Sequence, residues 1–74
     1  MIKWKRIKKG EYESDDGRFR IVKMHDDIQG RYWLLCDYLA KQEWKRYFQT
    51  RLFTDCKLKA KLILEDERKE KASL

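Results

Sequence analysis

The sequence predicts an α+β domain, an antiparallel sheet of three to four strands with one C-terminal helix packed on one face (β-β-β-β-α). Bulky apolar residues alternate with basic ones, as in Arg18-Phe19-Arg20, and this period of two is typical of half-buried strands. Asp16-Gly17 marks a hairpin turn, whereas the last quarter of the chain has helical periodicity. The 74 residues suffice for a single small domain, with sheet over 1–53, helix over 54–71 and a frayed tail over 72–74.

The first half of the chain is organised by glycine-marked turns. The first strand begins in residues 4–7, and Lys9-Gly10 is predicted to be a bend or bulge before Tyr12. The segment Ser14-Asp15-Asp16-Gly17 is predicted to connect residues 11–13 to a strand over 18–24, and residues 25–30 form the next loop. In the strand over 18–24, the alternation predicts two opposite faces. One face carries Phe19 and Ile21, and the other carries Arg18, Arg20 and Val22.

Residues 31–53 satisfy two periodicities. Residues 31–38 and 44–50 alternate as strands, with a turn over 39–43, but Tyr32, Leu35, Leu39 and other apolar residues also fall on one helical face. The density of Tyr, Trp and Phe favours strands, because these rings fit a pleated surface. The helical alternative for this segment stays open at the level of sequence.

The C-terminal helix is predicted from a cap and an apolar stripe. Thr54 or Asp55 can cap its first amides, and residues 65–71 are almost wholly charged, as in solvated last turns. Leu58 and Leu62 are expected to widen the stripe. The stripe itself consists of Cys56, Ala60, Ile63 and Leu64.

Charge points to an anionic partner. The net charge is +6, and residues 1–10 carry five basic side chains without an acid, while residues 41–61 carry seven against two acids. A sheet that exposes Arg and Lys beside aromatic rings suits a polyanion such as DNA or RNA. A solvated charged surface without a ligand is the competing explanation.

A family resemblance also indicates a protein that binds nucleic acid. Four short segments resemble small phage and prophage proteins. They are Trp33-Leu34-Leu35-Cys36-Asp37, the hairpin Asp16-Gly17-Arg18-Phe19, an aromatic residue before Thr (Phe48-Gln49-Thr50 or Phe53-Thr54), and Ala60-Lys61 in the helix. The outline is also similar to the AP2-like and integrase N-terminal arm-type DNA-binding domains, which lay a three-stranded sheet into the major groove. The spacing from Phe48 to the helix is longer than that pattern, and residues 39–43 lack its glycine turn.

The resemblance implies a nucleic-acid-binding accessory protein of a phage or mobile element that uses the open sheet face and a basic N-terminal arm. In a duplex-binding mode Arg would contact bases and Lys would contact phosphate. With a single strand, Trp4 or Tyr47 could stack on bases. The expected nucleic-acid-binding residues are Lys5, Arg6, Arg18, Arg20, Lys23, Arg31, Lys45 and Arg46.

The alternative function is a phage-encoded modulator or inhibitor that docks its sheet face or edge on a host protein, including one with an acidic surface. An enzyme is not expected, because His25 is the sole histidine, Cys36 and Cys56 lack zinc-site spacing, and the three glycines stand apart. We therefore expect no cofactor, no metal and no membrane partner. A cytoplasmic location in the host cell with two reduced, buried thiols is predicted, with a disulfide as the alternative.

Overall fold

The computed structural model describes residues 2–40, 42 and 46–72. These residues form five antiparallel strands and one helix, which confirms the α+β class with one strand more than the highest predicted number. The elements are β1 Trp4–Lys8, β2 Glu11–Ser14, β3 Phe19–Asp26, β4 Gly30–Asp37, β5 Tyr47–Thr50 and α1 Phe53–Ala72.

The sheet is a meander in which each strand pairs with its neighbours in sequence, in the order β1-β2-β3-β4-β5. Residues 30–37 and 47–50 are extended, so the helical alternative for this part of the chain is wrong. The predicted strand over 44–50 is described only from its third residue, because Trp44 and Lys45 lie outside the described residues. The predicted loop over 25–30 shortens to 27–29, since β3 and β4 remain paired as far as Asp26 and Gly30.

The additional strand arises at Lys9-Gly10, where a bend or bulge was expected. Gly10 has a φ of +79°, which glycine adopts without a steric penalty and which lets the chain reverse there. β1 therefore pairs antiparallel with β2, from Trp4 opposite Ser14 to Lys8 opposite Glu11. The strand predicted from residues 4–7 is confirmed as β1, so the basic N-terminal arm is part of the sheet over residues 4–8.

The predicted hairpin between β2 and β3 is confirmed. Gly17 has a φ of +76°, and its amide donates to the carbonyl of Ser14 at 2.9 Å. The Ser14 hydroxyl donates to Asp16 Oδ1 at 2.7 Å and accepts the Phe19 amide at 2.9 Å. The hydrogen bonds to Asp16 from Ser14 and from the Arg18 amide hold the pKa of this carboxyl below its usual value. Buried Ser14 thus joins the turn to the first residue of β3.

The core lies between α1 and one face of the sheet. Small side chains on the helix, Cys56 and Ala60, allow a close approach to Phe19, Ile21 and Leu35, and all five residues are at most 1% exposed. Partly buried residues extend this cluster, with Trp4 packing on Phe19 at a ring-centroid distance of 6.4 Å. Trp4 is therefore a packing residue and not a free platform for bases.

The helix begins at Phe53, so Thr54 and Asp55 lie inside its first turn and do not cap it as predicted. The hydroxyl of Thr50 accepts the Leu52 amide at 3.3 Å and donates to Asp55 Oδ2 at 3.2 Å. The predicted apolar stripe is confirmed, since Cys56 and Ala60 are buried and the other two stripe residues pack against the core.

The expected widening of this stripe is wrong. Leu58 and Leu62 are exposed, because they lie about 200° and 240° around the helix from Cys56.

Arg18 forms a buried ion pair with Asp37 at the end of β4 and a second, half-exposed ion pair with Glu67 in the second half of the helix. Arg18 was predicted to face away from the core, but its side chain is only 10% exposed. It donates from Nε to Asp37 Oδ1 at 2.9 Å and from Nη2 to Oδ2 at 3.1 Å, a bidentate contact. The same guanidinium donates to both carboxylate oxygens of Glu67, with 2.8 Å between Nη1 and Oε2. These hydrogen bonds, first to Glu67 and then to Asp37, raise the pKa of Arg18.

The charged end of α1 is therefore not merely solvated, as the sequence predicts for residues 65–71. Glu67 contacts Arg18 across 49 positions of sequence. The two acids differ in exposure, since the Asp37 side chain is 5% exposed and that of Glu67 is 45% exposed. Asp37 also accepts the Leu39 amide at 3.1 Å, so its carboxylate orders the chain after β4.

Replacing Arg18 tests this ion pair. We expect Arg18→Ala to lower the free energy of unfolding by about 3–5 kcal/mol, because Asp37 would be left charged and buried without its cation. Adding Asp37→Asn should recover part of the loss, and Glu67→Ala alone should cost about 1 kcal/mol or less because Glu67 is half-exposed. Urea denaturation of the four proteins measures these differences. An Arg18→Ala variant as stable as the parent would contradict the assignment.

Candidate anion-binding site

The register of the strands assigns each side chain to one of two faces, because residues directly opposite each other share a face. The helix face carries the core, and its members include Tyr12, Ile21, Leu35 and Phe48. We call the other side of the sheet the open face. Its members are Lys5, Lys8, Glu11, Glu13, Arg20, Val22, Met24, Asp26, Tyr32, Leu34, Cys36, Tyr47 and Gln49.

The predicted binding residues do not form one surface. Lys5 and Arg20 lie on the open face, both opposite Glu13. Arg18 is held in its ion pairs, and Lys45 lies outside the described residues. Half-buried Arg46 precedes β5, where its carbonyl accepts the Asp37 amide at 2.8 Å. The remaining three predicted residues, Arg6, Lys23 and Arg31, lie on the helix face.

The expectation of a cationic open face is wrong. The basic residues of this face, Lys5, Lys8 and Arg20, are matched by the acids Glu11, Glu13 and Asp26. Lys8 Nζ lies 3.7 Å from Glu11 Oε1, an exposed pair of little energetic weight. The middle of the face is apolar, with half-buried Val22 and Leu34. The charges of the open face are balanced because the acidic strand β2 lies between β1 and β3 and pairs with both.

Positive charge instead collects on the helix face, beyond the start of the helix. The helix starts at Phe53, which lies on Trp33, and runs away from the β3–β4 hairpin towards Glu67, which contacts Arg18. It therefore leaves the hairpin end of this face uncovered. A concave surface of about 540 Å³ occupies the uncovered end. We call it the cationic concavity; its basic residues are Arg6, Lys9, Lys23, His25 and Arg31, and its other lining residues are Gly10, Tyr12, Met24 and Trp33.

The cations of the cationic concavity are not neutralised by the part of the chain that the structure describes. All five basic side chains are exposed, and within the described residues none lies within 4.0 Å of a carboxylate. Arg31 lies directly opposite His25 in the β3–β4 pair. Because like charges at short range repel, an anion bound among Arg6, Lys9, Lys23 and Arg31 would relieve an unfavourable arrangement.

Two aromatic rings, Tyr12 and Trp33, line the cationic concavity, and both pack on Phe53 at the start of the helix. The Phe53 ring lies 4.7 Å from Tyr12 and 4.9 Å from Trp33 between centroids, and Tyr12 and Trp33 are 6.4 Å apart. The Lys23 ammonium lies over the Trp33 ring at 5.9 Å, a cation–π contact that orients it. Trp33 therefore orients Lys23, and the packed rings lie between the basic side chains and the apolar interior.

His25 does not form a metal site with its acidic neighbours. Asp26 lies on the opposite face, and its Oδ1 accepts the amides of Ile28 at 2.7 Å and Gln29 at 3.3 Å. These two bonds hold the pKa of Asp26 below its usual value and order the β3–β4 turn. Among the described residues, no three His, Cys, Asp or Glu side chains are grouped as metal ligands.

A larger concavity, of about 730 Å³, lies between the end of β4, β5 and the helix. Its wall includes Arg18, Asp37 and Glu67, which already satisfy one another. It also borders the segment 38–46, in which residues 41 and 43–45 lie outside the described part of the chain. We assign no binding role to it.

Sequence reasoning missed two basic residues of the cationic concavity, Lys9 and His25. Lys9 was counted in the basic N-terminal arm and placed at a bend, but it was not named as a binding residue, and His25 was placed in the loop over 25–30. The available signal was the alternation along residues 23–25, which places Lys23 and His25 on one face once these residues are taken as strand.

Comparisons with protein-family models, with characterised proteins and with solved structures found no match. The resemblance to phage proteins and to AP2-like or integrase arm-type domains therefore stays a prediction. Within the described residues, no helix has both the length and the apolar character needed to cross a bilayer.

The two thiols are free and buried, as predicted, and the alternative of a disulfide between them is wrong. Cys56 is fully buried under the helix, and burial raises the pKa of its thiol to about 11. Cys36 belongs to the open face, and burial raises the pKa of its thiol as well. Because the thiolate is the reactive form, neither side chain is suited to nucleophilic chemistry at neutral pH.

We therefore expect both thiols to resist a disulfide reagent such as dithionitrobenzoate in the native protein. At neutral pH fewer than about one Cys56 in a thousand would carry the thiolate, and the buried sulfur would also have to become exposed before it reacts. Both thiols should react rapidly in denaturant, and a Cys36→Ala variant isolates the signal of Cys56. Fast labelling of that variant in native buffer would contradict the burial.

Proposed function

We propose that the protein binds nucleic acid through the cationic concavity. The observation that carries the proposal is the grouping of five exposed basic side chains on one concave surface, without a carboxylate within 4.0 Å among the described residues. Phosphate oxygens are the ligands that such a group of Arg and Lys side chains binds best. The overall charge of +6 adds a long-range attraction to any polyanion.

The geometry supports the cationic concavity as the nucleic-acid-binding site over the open face, which the sequence predicts. The open face balances its charges, whereas the cationic concavity does not. Arg6 comes from β1, Lys23 from β3 and Arg31 from β4, so the basic groups span the sheet from its edge strand to the fourth of its five strands. Three strand spacings are about 14 Å, enough for several consecutive phosphates.

Salt dependence tests the proposal. If Arg6, Lys9, Lys23 and Arg31 each neutralise a phosphate, the logarithm of Kd for a duplex should rise with the logarithm of salt concentration with a slope of about 3–4. Fluorescence anisotropy with a labelled duplex of about 20 base pairs, titrated between about 50 and 200 mM salt, measures the slope. Absence of binding at the lowest salt would remove this function.

A matched pair of double variants locates the binding surface. Lys23→Gln with Arg31→Gln removes two charges from the cationic concavity and should lower the slope by about 1.8. Lys5→Gln with Arg20→Gln removes the same charge from the open face and should leave the slope near that of the parent. Thermal unfolding shows whether each variant is folded. Equal losses in both variants would mean that net charge alone, and not the cationic concavity, determines binding.

A second candidate function is supported by the open face. Exposed Met24 and Tyr47 flank half-buried Val22, Tyr32 and Leu34, and no described element of the chain covers them. An uncovered apolar surface with balanced charge at its rim is suited to a protein partner, as a modulator or inhibitor would need. Leu34→Asp should then abolish retention of a stoichiometric partner from a nuclease-treated bacterial lysate. A partner retained equally by the variant would exclude this face.

A further inference from the structure

We infer that the cationic concavity recognises the sugar–phosphate backbone and not the bases, so that binding is independent of sequence. The inference rests on the proposed function and specifies the ligand chemistry of the same site. The inference follows from the positions of the aromatic rings relative to the basic side chains of the cationic concavity.

The rings at the cationic concavity are already engaged. Tyr12 and Trp33 are half-buried, and both contact Phe53 at centroid distances below 5 Å. Lys23 lies over the Trp33 ring, in a position that a stacked base would need. A nucleobase could stack there only by displacing a cation from the site that attracts the phosphates.

The rings that are free lie elsewhere. Among the described residues, the aromatic side chains that are more than one-third exposed are Tyr38 and Tyr47. Tyr47 is opposite Cys36, and Tyr38 follows the last residue of β4. Both are therefore at the far end of β4 from Arg31, about 20 Å away at the rise of a strand. Proteins that bind single strands by stacking combine the rings and the cations in one groove.

A strand without bases tests the inference directly. We expect an abasic oligonucleotide of about 20 nucleotides to bind within about twofold of oligo(dT) of the same length at the same salt concentration, because both present the same phosphates. A site that stacks even one base would lose about 5- to 160-fold on removal of the bases. A loss above fivefold would overturn the inference.

A duplex serves as the reference in the same titration. If the duplex binds but the abasic strand does not, the backbone alone is insufficient and the inference is overturned while the proposed function stands. If neither duplex nor single strand binds, the proposed function fails, and with it the inference. The two failures are thus distinguishable.

Tyr47→Ala provides the matched protein variant. This ring is 54% exposed on the open face, so its removal leaves the core intact. We expect its affinity for oligo(dT) to equal that of the parent. A loss greater than about fivefold would show that a base stacks on Tyr47 and would overturn the inference.

Discussion

The architecture depends on one packing contact, between the small helix residues Cys56 and Ala60 and the buried sheet residues Phe19, Ile21 and Leu35. A domain of this size has one helix with which to exclude water from a five-stranded sheet. The small residues allow the helix to approach closely, which excludes water from the centre of one face of the sheet. Packed aromatic rings exclude water from the edges of the same face. The hairpin end of that face and the whole open face remain uncovered by described elements, and both candidate binding surfaces lie there.

Position relative to the strands and the helix decides what each arginine of this chain does, and Arg18 precedes β3 and so lies outside its alternation. Arg18 and Arg20 are two residues apart, yet Arg18 is held by Asp37 and Glu67 whereas Arg20 faces the other side of the sheet. Arg31 has no such partner among the described residues, because it lies beyond the reach of the helix. Basic side chains that look equivalent in sequence thus have different roles. Some form ion pairs that stabilise the fold, and others are exposed and can bind a ligand. Net charge alone could not make this division.

Local pattern was sufficient to predict much of the fold, including the hairpin at Gly17, the alternation of Phe19 and Ile21, and the stripe on the helix. These features depend on residues that are close in sequence, so periodicity and turn-forming residues are sufficient to predict them. The contact of Arg18 with Glu67 spans 49 positions and leaves no local signal. Periodicity alone places Lys23 on the face of Phe19 and Ile21, but the assignment of Arg31 to that face required the register of β3 with β4. The exposure of both residues required the position at which α1 begins, which periodicity does not give.

The meander has a consequence for how the chain reaches its structure. Every strand pairs with the strand next to it in sequence, so each step of sheet formation closes only a short loop. Low contact order of this kind is associated with rapid folding, in contrast to sheets whose neighbouring strands are distant in sequence. The helix is the exception, because its last turns meet the beginning of β3 through the longest loop closure described here. Arg18 and Glu67 therefore join parts of the chain whose approach carries the largest entropic cost.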